Sequence, residues 1–405
     1  MYNRNYMSKV ISDPNRIDEL LNSRYIEAVF PSKEKAGEIF KSGKRLSFYW
    51  GIDPTGPDVH LGHSTNLFVL KKLTGLGHKV ILLMGGFTAR IGDPTGRDLT
   101  RRPLSEKEIN ANMRTYLEQV TKVLPKGSFK VKNNRSWLKK MSFEDLIKLA
   151  SHFTVQQMIA REMFQKRIQE QKPVSLNEFL YPLMQGYDSV AMQIDGEIGG
   201  NDQTFNMLAG RELEKSILNK EKIVITTKLL EDPVTGKKLM SKSEGHYISM
   251  NDKPDDLFGK IMAMPDHAIV TLFSYITEVP DEKIEEIKKR LENKENPKNL
   301  KEELAFELVR TYYGENQAQK SKNEFKRVFA KGKLPDKIEE FKVTGGSMPL
   351  ILILVGWLKI SKSEAKTLLD EKAVKINDEV VTGWDYKVKP GEVIKVGPRK
   401  FVITI

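Results

Sequence analysis

The chain has 405 residues, 39% hydrophobic and 30% charged, with a formal net charge of +12 and no cysteine. This length predicts two or three domains rather than one small core. The missing thiols exclude disulfides, cysteine nucleophiles and cysteine-ligated zinc, and the positive surplus favours a polyanionic partner, nucleic acid first.

In chain order, the opening residues "MYNRNYMSKV" hold no apolar core of the secretory type. "RLSFYWGID" reads as a buried strand, "STNLFVLKKLTGLG" as a helix closed by Gly75 or Gly77, and "KVILLMGG" as a second buried strand. Strand, helix and strand at this spacing predict a βαβ unit and a parallel sheet. A helical insertion is expected near 105–175. "SVAMQIDGEIGG" reads as strand and turn, "DQTFNMLAGRELEK" as a helix and "KIVITTKLL" as a further strand. Residues 1–250 are thus expected to form an α/β, Rossmann-like domain with a parallel sheet. Helical periodicity without strand runs predicts an α-helical domain over 251–342. "MPLILILVGWL" is too short to span a bilayer and reads as a buried helix. Ser361 with Glu364 forms the sequence pattern of a capping box. Short alternating strands follow, so 343–405 reads as a small α+β module. The whole pattern is that of a cytoplasmic protein without a membrane partner.

Two motifs carry chemistry. In "YWGIDPTGPDVHLGHS", Asp53-Pro54-Thr55-Gly56 supplies a turn after the strand, and His60 and His63 flank Gly62 where a helix begins. A helix N-terminus offers unpaired N–H groups to anions, and a glycine lets a flat ring approach the backbone. The stretch suits a nucleoside triphosphate and lacks the Walker pattern. Two histidines in a metal site, or in a purely structural role, are the alternatives. In "GKKLMSKSEGHYI", Lys242 is a point charge suited to departing phosphates, and a solvated basic loop is the alternative. In "YPLMQGYDSV", Tyr181, Gln185 and Asp188 fall at i, i+4 and i+7, on one helix face.

HxGH after the first strand and MSKS late in the same domain resemble the signatures of class I aminoacyl-tRNA synthetases. The tyrosine-glutamine-aspartate helix is similar to that of bacterial-type tyrosyl-tRNA synthetases. The resemblance runs from about residue 15 to 405. It implies that Asp188 and Tyr49 hold the phenol hydroxyl of a substrate tyrosine. A carboxylate deprived of that hydroxyl penalises phenylalanine, a selectivity for which this family is itself the standard illustration. By the same resemblance, Tyr181, Gln185 and Gln203 line the amino-acid site, and Asp93, in "GGFTARIGDPTGRDLTRRPLS", faces the substrate ammonium. Arg97 and Arg101 face pyrophosphate. Thr55, His60 and Lys242 meet the ATP phosphates, and Asp53, Gly62, His63, Gly200 and Asp202 surround the nucleotide, Asp202 on the ribose. A plain N-cap role for Asp202 is the alternative. Leu239 stands where the signature loop usually has lysine, and Lys238 or Lys237 is its candidate substitute.

The C-terminal module resembles an S-four-like RNA-binding domain, implying phosphate-backbone contacts from Lys359, Lys362, Lys366, Lys372 and Lys375. The implied activity is tyrosine–tRNA ligation in two steps, through tyrosyl-adenylate, with both nucleophiles belonging to substrates. Mg²⁺ is expected to arrive with ATP, with no resident metal or organic cofactor. The implied partners are tRNA(Tyr), L-tyrosine and a second copy of the chain, with 125–175 as the candidate interface. Tryptophan–tRNA ligation, cofactor-forming nucleotidyl transfer and non-catalytic RNA binding are the rivals. The first lacks use for a hydroxyl-binding aspartate, the second for the tail, and the third for the pocket.

Overall fold

The computed structural model describes residues 9–93, 104–240, 247–330, 338–397 and 400–405; Arg97, Arg101 and Lys242 lie outside them. The chain forms two compact units, Met1–Asp252 with Met264–Leu300, and Lys253–Ala263 with Lys301–Ile405. The helical stretch 251–342 contributes to both.

The first unit is built on a six-stranded sheet of β1 (Ile26–Phe30), β2 (Ser47–Ile52), β3 (Lys79–Met84), β4 (Phe129–Asn133), β5 (Gly196–Gly200) and β6 (Ile223–Thr227), in the order β1-β6-β5-β2-β3-β4. β2 and β3 are parallel and in register from Ser47 opposite Lys79 to Ile52 opposite Met84. Their near-continuous burial fits strands covered on both faces. The helix Ser64–Gly75 joins them and is itself buried along most of its length. From β2 the order runs to β3 and β4 on one side and to β5 and β6 on the other. The direction of winding therefore reverses between β2 and β5, and in open α/β sheets a ligand crevice opens outside the carboxyl ends of the strands at such a point.

Three sequence expectations need correction. Phe129–Asn133, inside the stretch expected to be helical, is a sheet strand. Ser189–Met192, expected as strand, completes a helix. The sheet also carries β1, antiparallel to β6, which the pattern did not suggest.

The helix Leu176–Met192, here termed the site helix, opens on a capping box between Ser175 and Glu178 and closes at Gln193 in a left-handed conformation, φ 52°. It packs on the helix Thr204–Leu218 through Gly186 and Gly210. A Cβ at 186 would lie 2.8 Å from Leu213 Cδ1 and 3.2 Å from the Gly210 backbone nitrogen. The absent side chains let the two backbones meet.

The second unit holds a sheet of β7 (Glu339–Phe341), β9 (Val374–Ile376), β10 (Glu379–Val380), β12 (Val393–Val396) and β13 (Lys400–Thr404), with β8 (Met348–Pro349) paired to β11 (Lys387–Val388). The helix Leu350–Leu358 buries Leu350, Ile353 and Leu354, as the apolar run suggested. The capping box of Ser361 and Glu364 opens the helix Lys362–Asp370.

Candidate active site

A cavity of about 270 Å³ lies in the first unit, at the carboxyl ends of β2 and β5. Tyr49 and Asp188 both line it. Their polar atoms are already engaged. The Tyr49 hydroxyl shares a 3.0 Å hydrogen bond with Ser189 Oγ. Asp188 Oδ1 accepts from the Trp137 indole N–H at 2.7 Å, and Oδ2 from Asn134 Nδ2 at 3.2 Å. Burial pushes the Asp188 carboxyl well above the usual range, against the pull of those two donors. Burial, then Glu197 and Asp188, push the Tyr49 phenol up as well, so it stays a neutral hydroxyl.

The site helix brings Tyr181, Gln185 and Asp188 to the same cavity, as their spacing predicts. The Tyr181 hydroxyl donates to Asp53 Oδ2 at 3.0 Å, and Thr88 Oγ1 donates to Oδ1 at 2.7 Å. Asp53 is thus a strut between the β2 turn and the site helix. Gln185 Nε2 donates to Glu197 Oε1 at 3.0 Å. Gln203 Nε2 donates to Asp93 Oδ2 at 2.5 Å, which pairs a residue expected to line the amino-acid site with the one expected to face the substrate ammonium.

The two-histidine turn forms the other part of the cavity. The His60 and His63 rings stack with centroids 3.9 Å apart. Gly62 N–H donates to His60 Nδ1 at 3.1 Å. That bond commits Nδ1 as acceptor, so the neutral ring carries its proton on Nε2, where it can donate to a phosphate oxygen. Burial of its ring lowers His63 to about 4, so it is neutral near pH 7. A Cβ on Gly62 would stand 2.9 Å from both His60 Cε1 and Nδ1. Gly200 and Asp202 line the cavity beside the turn, and Lys238 Nζ reaches Asp202 Oδ2 at 2.6 Å. Of the exposed lysines Lys237 and Lys238, Lys238 is the one that lines the cavity. Leu239 is 4% exposed and packs inward. Thr55, in the turn after Asp53, is not among the residues lining the cavity.

Trp137, Asn134, Ser189, Glu197 and Lys222 were not anticipated. Asn134 and Trp137 follow β4, and Lys222 immediately precedes β6; neither stretch has a local pattern that marks it as part of a site. No group of three or more His, Cys, Asp or Glu side chains that could hold a metal occurs among the described residues, nor any helix long and apolar enough to cross a membrane.

In the second unit, Lys362 and Lys366 stand exposed on successive turns of the helix Lys362–Asp370, with Lys366 Nζ 5.2 Å from the ring centroid of the exposed Trp384. Lys359 and Lys372 are exposed with left-handed backbones, φ 55° and 57°, at the ends of the two helices. Lys375 is half-buried in β9.

Residues 41–330 match the model of the tRNA synthetases class I (W and Y). A tyrosine–tRNA ligase of Carboxydothermus hydrogenoformans is 42% identical, over 95% of this chain and 98% of that protein. One from Thermotoga maritima is 41% identical, over 91% and 93%. Among solved structures, a C-terminally truncated mitochondrial tyrosyl-tRNA synthetase of Aspergillus nidulans superposes with a TM-score of 0.62 at 24% identity, covering 78% of this chain and 94% of that one. A tyrosyl-tRNA synthetase of Archaeoglobus fulgidus complexed with L-tyrosine gives 0.59 at 20% identity, over 76% and 100%.

Proposed function

We propose a two-step tyrosine–tRNA ligation at this cavity, on the premise that the chain belongs to the class I tRNA synthetases (W and Y) and, within them, to the tyrosine–tRNA ligases. A carboxylate oxygen of L-tyrosine attacks the α-phosphorus of ATP, which enters as its Mg²⁺ complex, and pyrophosphate leaves. A hydroxyl of the terminal ribose of tRNA(Tyr) then attacks the tyrosyl carbonyl, and AMP leaves. Neither step needs an enzyme nucleophile, so catalysis comes from positioning and from charge facing the phosphates.

The observation that carries this reading is a buried carboxylate, Asp188, lining one cavity with the two-histidine turn. In our reading the substrate phenol lies between Tyr49 and Asp188. Asp93, Tyr181, Gln185 and Gln203 surround its ammonium. Asp202 and Gly200 take the ribose, Gly62 and His63 the adenine side, and His60 an α-phosphate oxygen. Asp53 acts by bracing Tyr181. Lys242, Arg97, Arg101 and Thr55 are assigned to the phosphates on the family resemblance. ATP–pyrophosphate exchange with single amino acids tests the reading. Tyrosine should support exchange, and exchange with tryptophan alone would refute it.

Phe143, Ile147, Val155 and Ile168 are 77%, 56%, 66% and 46% exposed, an apolar density on short helices that favours 125–175 as the face between two copies. Sedimentation should give a dimer that Phe143→Asp with Val155→Asp weakens. The lysines around the helix Lys362–Asp370 are assigned to the tRNA backbone. We place the reaction in the cytoplasm, where tRNA and ATP meet.

A further inference from the structure

Beneath the amino-acid part of the cavity lies a buried ion pair that the ligation chemistry does not use. Lys222 Nζ meets Glu197 Oε2 at 2.5 Å, with side-chain exposures of 0% and 2%. Burying both members of such a pair is costly, and two hydrophobic residues of similar volume often serve stability equally well. Its retention therefore calls for a reason other than stability.

The pair's remaining hydrogen bonds supply one. Lys222 Nζ also donates to Ser189 Oγ at 2.7 Å, and Ser189 Oγ is the partner of the Tyr49 hydroxyl. Glu197 Oε1 accepts from Gln185 Nε2. Tyr49 and Glu197 are register partners on adjacent parallel strands. The space for the lysine head is provided by Gly210. A Cβ there would lie 2.6 Å from Lys222 Nζ and 2.9 Å from Ser189 Oγ.

We propose that the Lys222–Glu197 pair is a positioning device for amino-acid recognition, setting the hydroxyl of Tyr49 through Ser189 and the amide of Gln185 directly. This rests on the placement of tyrosine given above. An ammonium only donates, so one lone pair of Ser189 Oγ is committed to Lys222. Ser189 can then give its single hydrogen to Tyr49 Oη, and Tyr49, whose hydroxyl also hydrogen-bonds the Glu197 carboxylate of the same pair, turns its own hydrogen to an acceptor in the cavity when one is bound. A phenol is such an acceptor, and it can donate its own hydrogen to Asp188. The cation at one end and the carboxylate at the other give the chain one direction. A ligand that both accepts from Tyr49 and donates to Asp188 satisfies it, and phenylalanine does neither. Glu197 neutralises the lysine and holds Gln185, so both ends of the substrate are referenced to one rigid point.

The test compares the ratio of kcat/KM for tyrosine over phenylalanine in exchange, for the full-length enzyme and its variants. Asp188→Asn is the control for the site. It should collapse the ratio, and if it does not, or if the wild type shows no preference, the placement of the substrate fails. Ser189→Ala cuts only the arm to Tyr49 and should lower the ratio about tenfold, the scale of one hydrogen bond, with KM for ATP unchanged. The double variant Lys222→Met with Glu197→Gln removes both charges, so it leaves no unpaired ion to unfold the protein. It should lower the ratio at least as far and raise KM for tyrosine. Ser189→Thr, which keeps the hydroxyl, should restore most of the ratio. A collapsed ratio in Asp188→Asn beside an unmoved ratio in Ser189→Ala and in the double variant overturns the inference and leaves the ligase reading intact. A fall in melting temperature alone marks the pair as structural and overturns the inference in the same way.

Discussion

Trp137→Phe isolates one interaction at a buried carboxylate of the site, Asp188. Asp188 is 3% exposed and holds two donors, Trp137 Nε1 at 2.7 Å and Asn134 Nδ2 at 3.2 Å. Phenylalanine keeps most of the ring volume and removes the shorter bond. A hydrogen bond to a charged group contributes about 1.5–3 kcal/mol. At about 1.4 kcal/mol per tenfold, that converts to roughly 10- to 150-fold in kcat/KM for tyrosine if the ionised carboxylate is the form that receives the phenol. Phenylalanine makes no such bond, so its activation should change far less and the tyrosine preference should fall by about the same factor. The sign of the pH effect follows from the same bond. The indole donor lowers the Asp188 pKa, so its loss raises that pKa further and moves the acid limb of tyrosine activation to higher pH. Exchange rates with both amino acids across pH measure all three effects. In Asp188→Asn the charge is gone and Trp137→Phe should cost much less, which closes a double-mutant cycle. A lower melting temperature with an unmoved preference and an unmoved acid limb would mean that Trp137 only packs.

Gly186→Ala places a methyl 2.8 Å from Leu213 Cδ1, and overpacking of about 1–3 kcal/mol should exceed the gain of about 1 kcal/mol from helix propensity. Urea unfolding should show a net loss and exchange a higher KM for tyrosine; a stabilised variant would contradict the close crossing. Glu214 is 0% exposed, and burial raises its pKa from 4.5 to about 7. The folded state then holds a proton that the unfolded chain releases, so this group's stabilising contribution is present below about pH 4.5 and lost as pH rises through about 7. Glu214→Gln should therefore melt like the wild type near pH 4.5 and higher than it above pH 7.5, and parallel melting curves across that range would contradict the assignment. Lys362→Glu with Lys366→Glu should leave exchange intact and weaken tRNA charging, with a salt slope shallower by about one for each phosphate no longer neutralised. Equal charging at all salt concentrations would remove these lysines from the RNA surface.

Much of the frame was legible because it is local. The alternation of β2, helix and β3 depends on apolar runs bounded by turn residues. The i, i+4, i+7 spacing of Tyr181, Gln185 and Asp188 fixes a common face whatever the surroundings. The strands that escaped notice are those whose burial comes from neighbours. β4 is "FKVKN", with its three central residues exposed, and β1 pairs with a strand almost two hundred residues later. The partners of the site residues escaped for the same reason. Lys222, the first residue of a β-rich run, reads as a surface lysine until Glu197 and Ser189 are brought to it by the sheet and the site helix. Asp188 was identifiable as polar on an apolar helix face, but its tie to Trp137 crosses 51 positions.

The meeting of Gly186 with Gly210 gives the cavity one unyielding stretch of wall. At that crossing main chain is seated against main chain, so the helix bearing Tyr181, Gln185 and Asp188 cannot retreat there by the trimming of a side chain, although Leu183, Val190 and Leu213 pack around it. In the proposed tyrosine site, room for a bulkier or differently substituted ring comes more readily from the sheet, where Leu83 of β3 lines the cavity with an ordinary truncatable side chain. Anyone redesigning this enzyme for an unnatural amino acid should mutate the sheet and leave the helix crossing alone.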